Sequence, residues 1–164
     1  MNKVLINKIL IIFLSAYLLF GCTNSINSSQ NISQHYAQVI LDCLKEKVNE
    51  DELITLFCKK VNDTHDLKNE IMAVRAFIEG DIISDGEWYA MSEAGSLWKD
   101  GEKIESYISP RMKNIETSLN KQYTISFFAY VIYVIDEELV GVTRITIRDT
   151  ETNETCTIGE VIVH

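Results

Sequence analysis

Apolar and polar positions along this chain follow two periods, a helical one before residue 80 and an alternating one after it. Tyr36, Val39, Ile40, Cys43 and Leu44 recur at i, i+3, i+4, i+7 and i+8. That is the stripe of an amphipathic helix. Asn49 followed by Glu52 has the form of a capping box, so a short second helix carrying Leu53, Ile54, Leu56 and Phe57 is expected. Asn62-Asp63-Thr64 offers caps for a third helix with Leu67, Ile71, Val74, Phe77 and Ile78 inward, stopped by Gly80 in a left-handed conformation.

Beyond Gly80 the turn chemistry changes. Ser84-Asp85-Gly86, Glu93-Ala94-Gly95-Ser96 and Lys99-Asp100-Gly101 mark bends, and long strands are expected near residues 103–117, 122–135 and 140–148. Pro110 cannot donate a ladder hydrogen bond, which places that position at a sheet edge or a bulge. The second long strand, QYTISFFAYVIYVI, is apolar on both faces from Phe127 onward. Strict alternation sets Phe128, Tyr130, Ile132 and Val134 apart from Phe127, Val131 and Tyr133, so one set packs on the helices and the other must meet something else. Helices first and strands after predict an α+β fold, with three N-terminal helices packed on a curved antiparallel sheet.

An apolar run, Ile9 to Phe20, precedes all of this, with Lys3 and Lys8 before it and Gly21-Cys22 at its end. Twelve residues make a helix of roughly 18 Å, short of the about 20 residues that cross a bilayer, so the run predicts a signal-peptide core. Leu19-Phe20-Gly21-Cys22 resembles the lipobox of bacterial lipoproteins. The resemblance implies cleavage before Cys22, a palmitate-type diacylglyceryl lipid on its sulfur, and anchoring at the extracytoplasmic face of the cell membrane. Two or more acyl chains hold a protein stably at a bilayer without spanning it. Residues 1–21 then form the signal peptide. Residues 22–31, rich in Ser and Asn, form a flexible tether, and residues 32–164 form one domain.

Charge narrows the partners. Removal of residues 1–21 takes away two of the 15 basic residues and none of the 24 acidic ones, leaving 13 against 24, a net of −11. Such a balance argues against nucleic acid and against anionic lipid headgroups as partners of a basic patch. Cys43, Cys58 and Cys156 remain after Cys22, without CxxC or CxxH spacing, so a zinc site has no support. Cys43 falls on the apolar stripe and reads as a small core hydrophobe, with a Cys43–Cys58 disulfide as the alternative.

Motifs that carry chemistry are missing: no GxSxG elbow, glycine-rich phosphate loop or HExxH helix occurs. Neither a metal nor a cofactor is expected. His65 reads as a solvated residue at a helix start. Asp149, Glu151, Asn153, Thr155, Thr157 and Glu160 fall on EF-hand positions, but Glu154 stands where the sharp turn demands glycine, so a polar hairpin turn is expected there. What remains is a set of large amphipathic side chains, Trp88, Tyr89, Trp98, Tyr107, Tyr130 and Tyr133, with Arg111 and Arg144 on strands. Such residues line binding pockets and interfaces as well as cores.

AFIEGDIISDGEW, WKDGEKIESYISPRMKNIETSLNKQYTISFFAYVIYVID and EELVGVTRITIRD resemble a family of bacterial lipoproteins grouped only as a domain of unknown function, itself similar to the nuclear-transport-factor-2-like, or cystatin-like, superfamily. The likeness covers about residues 36–149 and implies a cone in which a curved sheet wraps a long helix. It brings no catalytic motif with it. The resulting expectation is a noncatalytic binding or interaction module. Trp88, Trp98, Tyr107, Arg111, Tyr130, Tyr133 and Arg144 are its candidate pocket or interface residues. The alternative is a small-molecule enzyme of isomerase, dehydratase or hydrolase type using the cone. Related cones often pair through the outer sheet face, which implies a homodimer. The segment after residue 149 lies beyond the likeness and is expected to add a strand.

Overall fold

The computed structural model describes residues 30–161, with nothing stated of the side chains of residues 90–93. The signal peptide, Cys22 and most of the tether lie outside the described residues. Helix α1 runs over residues 30–44, so Gln30 and Asn31 are already helical. It is followed by α2 (Glu50–Ile54), α3 (Lys59–Thr64) and α4 (Leu67–Phe77). The strands are β1 (Ile82–Ser84), β2 (Glu87–Lys99), β3 (Glu102–Thr117), β4 (Gln122–Tyr133), β5 (Gly141–Asp149) and β6 (Thr155–Ile158). They form one antiparallel sheet in which β1 and β2 both pair with β3, followed by β4, β5 and β6. The fold is therefore α+β, as its sequence pattern predicts.

Four helices stand among the described residues where the periodicity predicts three. Asn62-Asp63-Thr64, read as the cap of the last helix, instead ends α3, and Asp66 caps α4 by accepting from the Asn69 N–H. Asn49 does cap α2, accepting from Asp51 N–H. α4 stops at Phe77, with Gly80 (φ +83°) two residues past the Ile78 cap. The hydroxyl of Tyr123, buried in β4, accepts from Glu79 N–H at 2.9 Å and so finishes the helix end from across the core.

Alternation governs the sheet. Ile108, Met112, Ile115, Tyr123, Ile125, Phe127, Ala129, Ile145 and Ile147 are buried. Phe127 meets Tyr36 of α1 and Tyr123 meets Phe77 of α4, which identifies the helix-facing side. The chain from Leu56 to Cys58 docks on the start of β5 through Val142 N–H to Leu56 O and Cys58 N–H to Val142 O. Gly141 permits this approach: at φ +123°, an added Cβ would sit 2.8 Å from Cys58 N.

Two turn signals mean something other than bends between strands. Gly95 lies inside the continuous β2, directly across from Tyr107, whose ring would be 2.5 Å from a Cβ there. The glycine makes room for an aromatic ring. Pro110 sits in β3, an interior strand, so the edge alternative does not apply; it lies opposite the register shift of β2 between Tyr89 and Glu93. An interrupted ladder asks no N–H of it.

Cys43, Cys58 and Cys156 are free thiols, the first two buried. Burial pushes both the Cys43 and the Cys58 thiol up, although Arg75 beside Cys43 acts the other way. Arg75 donates to Cys43 O at 2.7 Å and pairs with Glu50, joining α4 to α1 and α2. Residues 31–164 expressed alone are therefore expected to melt cooperatively with a midpoint unchanged by reductant. Loss of a structural disulfide would cost about 2–5 kcal/mol, so a fall of roughly 10 °C on reduction would contradict the free-thiol core.

Candidate functional site

Side chains that alternate away from the helices build a second surface, the outer sheet face. Its rows follow the register. Tyr107 of β3 lies across from Tyr130 of β4, Phe128 across from Arg144 of β5, Ser126 across from Arg111 and Thr146, and Thr124 across from Arg148. At one end the rings form a continuous series. Tyr107 stacks on Phe128 with centroids 5.2 Å apart, Phe128 meets Tyr130 edge-on at 5.1 Å, and Tyr130 meets Tyr133 at 4.5 Å.

Tyr133 belongs to this series only because the pairing slips. Tyr107 is opposite Tyr130 while Ser106 is opposite Ile132, so Val131 is an extra residue, and the bulge reverses the parity of everything after it. Strict alternation would have put Tyr133 with Phe127 on the helix side. Burial, and then the nearby Glu105 carboxylate, raise the Tyr130 phenol above its ordinary range.

At the other end the outer face is a polar groove of about 380 Å³ lined by Arg111, Lys113, Thr124, Ser126, Thr146 and Arg148, among others. Between the two ends, Arg144 pairs with Glu160 at 3.4 Å in a smaller hollow that Phe128 and Tyr130 also line.

The candidate residues thus divide. Tyr107, Tyr130, Tyr133 and Arg144 come together at the aromatic end, and Arg111 joins the groove. Trp88 does not join them: it pairs across from the buried Met112 on the helix side, with its indole N–H buried and unpartnered among the described residues. Trp98 is 60% exposed near the β2–β3 turn, under the Lys103 ammonium at 5.2 Å. Lys113, Thr124, Ser126, Thr146 and Arg148 were missing from the sequence-derived set. Their signal is the alternation of Thr124 with Ser126 and of Arg144, Thr146 and Arg148, which marks one polar sheet face.

His65 is not the solvated residue its position predicts. Its Nδ1 lies 2.8 Å from Glu70 Oε1 and its Nε2 3.2 Å from Glu160 O, while Glu70 Oε2 accepts from Gly159 N–H at 2.6 Å. The pair clasps the turn after β6 and so holds Glu160 where it meets Arg144. Asp149 resembles neither a metal ligand nor an acid–base group in its use. Buried at the end of β5, it accepts from Glu151 and Thr152 N–H, and the Thr152 bond first, then that of Glu151, holds its carboxyl below the usual range. The EF-hand-like spacing is a β5–β6 hairpin turn, with Asn153 at φ +64°.

Residues 39–154 match the family model described as Domain of unknown function (DUF5104). The chain belongs to this family. The match spans every strand of the outer face except β6 from Thr155 onward, so the aromatic series and most of the groove of this DUF5104 member lie within the family domain. No curated protein matches the chain.

Proposed function

We propose that the chain is a lipid-anchored lipoprotein on the extracytoplasmic face of a bacterial membrane, carrying one noncatalytic binding module of the cone-shaped, nuclear-transport-factor-2-like kind. Its working surface is the outer sheet face, and a second copy of the domain pairs through the aromatic end. The observation that carries this reading is the contrast between the two faces. The helix side is filled by large aliphatic side chains at 0–3% exposure, among them Ile108, Met112, Ile125 and Ile147. The outer side presents Tyr107, Phe128, Tyr130 and Tyr133 only partly covered. Aromatic groups with polar tips in contact with water are what interfaces use.

A carboxylate beside a tyrosine on the helix side would favour acid–base chemistry, and Tyr123 with Asp149 is such a cross-strand pair. Both are occupied by the backbone, Tyr123 at the end of α4 and Asp149 in the hairpin turn. That engagement supports the binding reading over the enzymatic one.

Anchoring rests on the apolar run and Cys22. Cys22→Ser is expected to abolish incorporation of radiolabelled fatty acid and to leave the precursor uncleaved or release the protein from the membrane fraction. Equal labelling of wild type and variant would refute the anchor.

A further inference from the structure

We propose that the polar groove of the outer face is an anion site that takes a phosphate group. In a chain of net charge −9, three cations, Arg111, Lys113 and Arg148, line one groove whose other named residues carry hydroxyls. Lys113 and Arg148 lie on β3 and β5 in one row with Thr124 between them, about 10 Å apart at their Cα atoms. Arg111 is two residues along β3 from Lys113, in the row of Ser126 and Thr146. Long side chains from three corners lean over a floor of Thr124, Ser126 and Thr146, the arrangement that meets a tetrahedral oxyanion with charge from above and hydroxyl donors from below.

The protein leaves this charge largely uncompensated. Arg111 is exposed and forms no ion pair among the described residues. Arg148 donates to the neutral amide oxygen of Asn153, and Lys113 sits 4.8 Å over the Tyr89 ring. Glu87, across from Lys113, accepts from the Tyr89 hydroxyl at 2.8 Å. No carboxylate lines the groove. Clustered like charges repel one another unless a counterion joins them, so the cluster favours a bound anion. Planar forks suit phosphate oxygens. The site is separate from the aromatic end and depends on neither the lipid anchor nor the dimer.

Phosphate reaches such a groove from two sources, a soluble phosphate compound or an anionic lipid headgroup. The test uses the full-length chain in a nonionic detergent, followed by ¹H–¹⁵N NMR. Inorganic phosphate and glycerol 3-phosphate are titrated at constant ionic strength against chloride, and in a second arm the micelles are doped with phosphatidylglycerol or phosphatidylcholine. Saturable shifts at residues 111, 124, 126, 146 and 148 are expected, weakening as salt rises. Arg111→Ser with Arg148→Ser should raise the apparent Kd at least 10-fold, whereas Arg144→Ser, outside the groove, should leave it unchanged. Shifts with the free phosphates identify a soluble source, and shifts confined to phosphatidylglycerol micelles identify a headgroup. Either result, with the double-variant loss, supports the site. Shifts that match chloride, or that survive in the double variant while its spectrum stays folded, overturn it.

Discussion

Gly86→Ala is expected to lower the melting temperature of the domain by about 10 °C, against about 3 °C for Gly101→Ala. Both glycines have positive φ, +68° and +84°, so an alanine at either position pays the left-handed strain of about 1–2 kcal/mol. Space separates them. Around Gly101 nothing lies within 4 Å of an added Cβ, whereas at Gly86 the Cβ would fall 2.1 Å from Lys113 O and 2.9 Å from Ile115 N. These are backbone atoms of the irregular part of β3 around Asn114, itself at φ +57°, and they cannot turn aside. Separating β2 from β3 there adds overpacking of roughly 1–3 kcal/mol. Thermal unfolding of the two variants side by side checks the difference; equal losses would show that the close approach of Gly86 to Lys113 is wrong. Lys113 is also a corner of the anion groove, so the variant should weaken phosphate binding as well.

How much of this was legible in the sequence depends on period. The long strands were readable to within two residues at most ends because β-branched and aromatic residues alternate without interruption, and the burial of Tyr123, Ile125, Phe127 and Ala129 follows that alternation. Two features defeated it. Val131 is an ordinary strand residue, and nothing local says that it is left over in the pairing; only the register with β3 moves Tyr133 to the outer face. Gly95 has turn chemistry in sequence but serves to seat the Tyr107 ring, a contact made across strands. The short helices were blurred for a related reason. α3 is six residues long, too short for a stripe, and it is held between the docked segment at Cys58 and the Asp66 cap. His65 and Glu70 meet Gly159 and Glu160 across some 90 residues, beyond the reach of any motif. The basic groove went unread because overall acidity hid three cations that only the sheet brings together.

Tyr130→Glu carries the other large effect. Tyr130 is the middle of the aromatic end, touching both Phe128 and Tyr133, and it is half-buried within one copy of the chain. A carboxylate there stands near Glu105, whose charge already raises the tyrosine phenol after burial does. Within a single domain the new group turns to water, and the loss is limited to ring contacts of about 1 kcal/mol. Pressed against a second copy it becomes an unpaired charge in a dry interface, at a cost of about 3–5 kcal/mol per site. Association should therefore weaken by 100-fold or more while the circular dichroism spectrum stays unchanged.

Sedimentation of residues 31–164 at micromolar concentration, wild type beside Tyr130→Glu, tests most directly whether the outer sheet face is the working surface. The account predicts a wild-type dimer and a folded monomeric variant. A wild-type domain that sediments as a clean monomer, or a variant that remains a dimer, would contradict it.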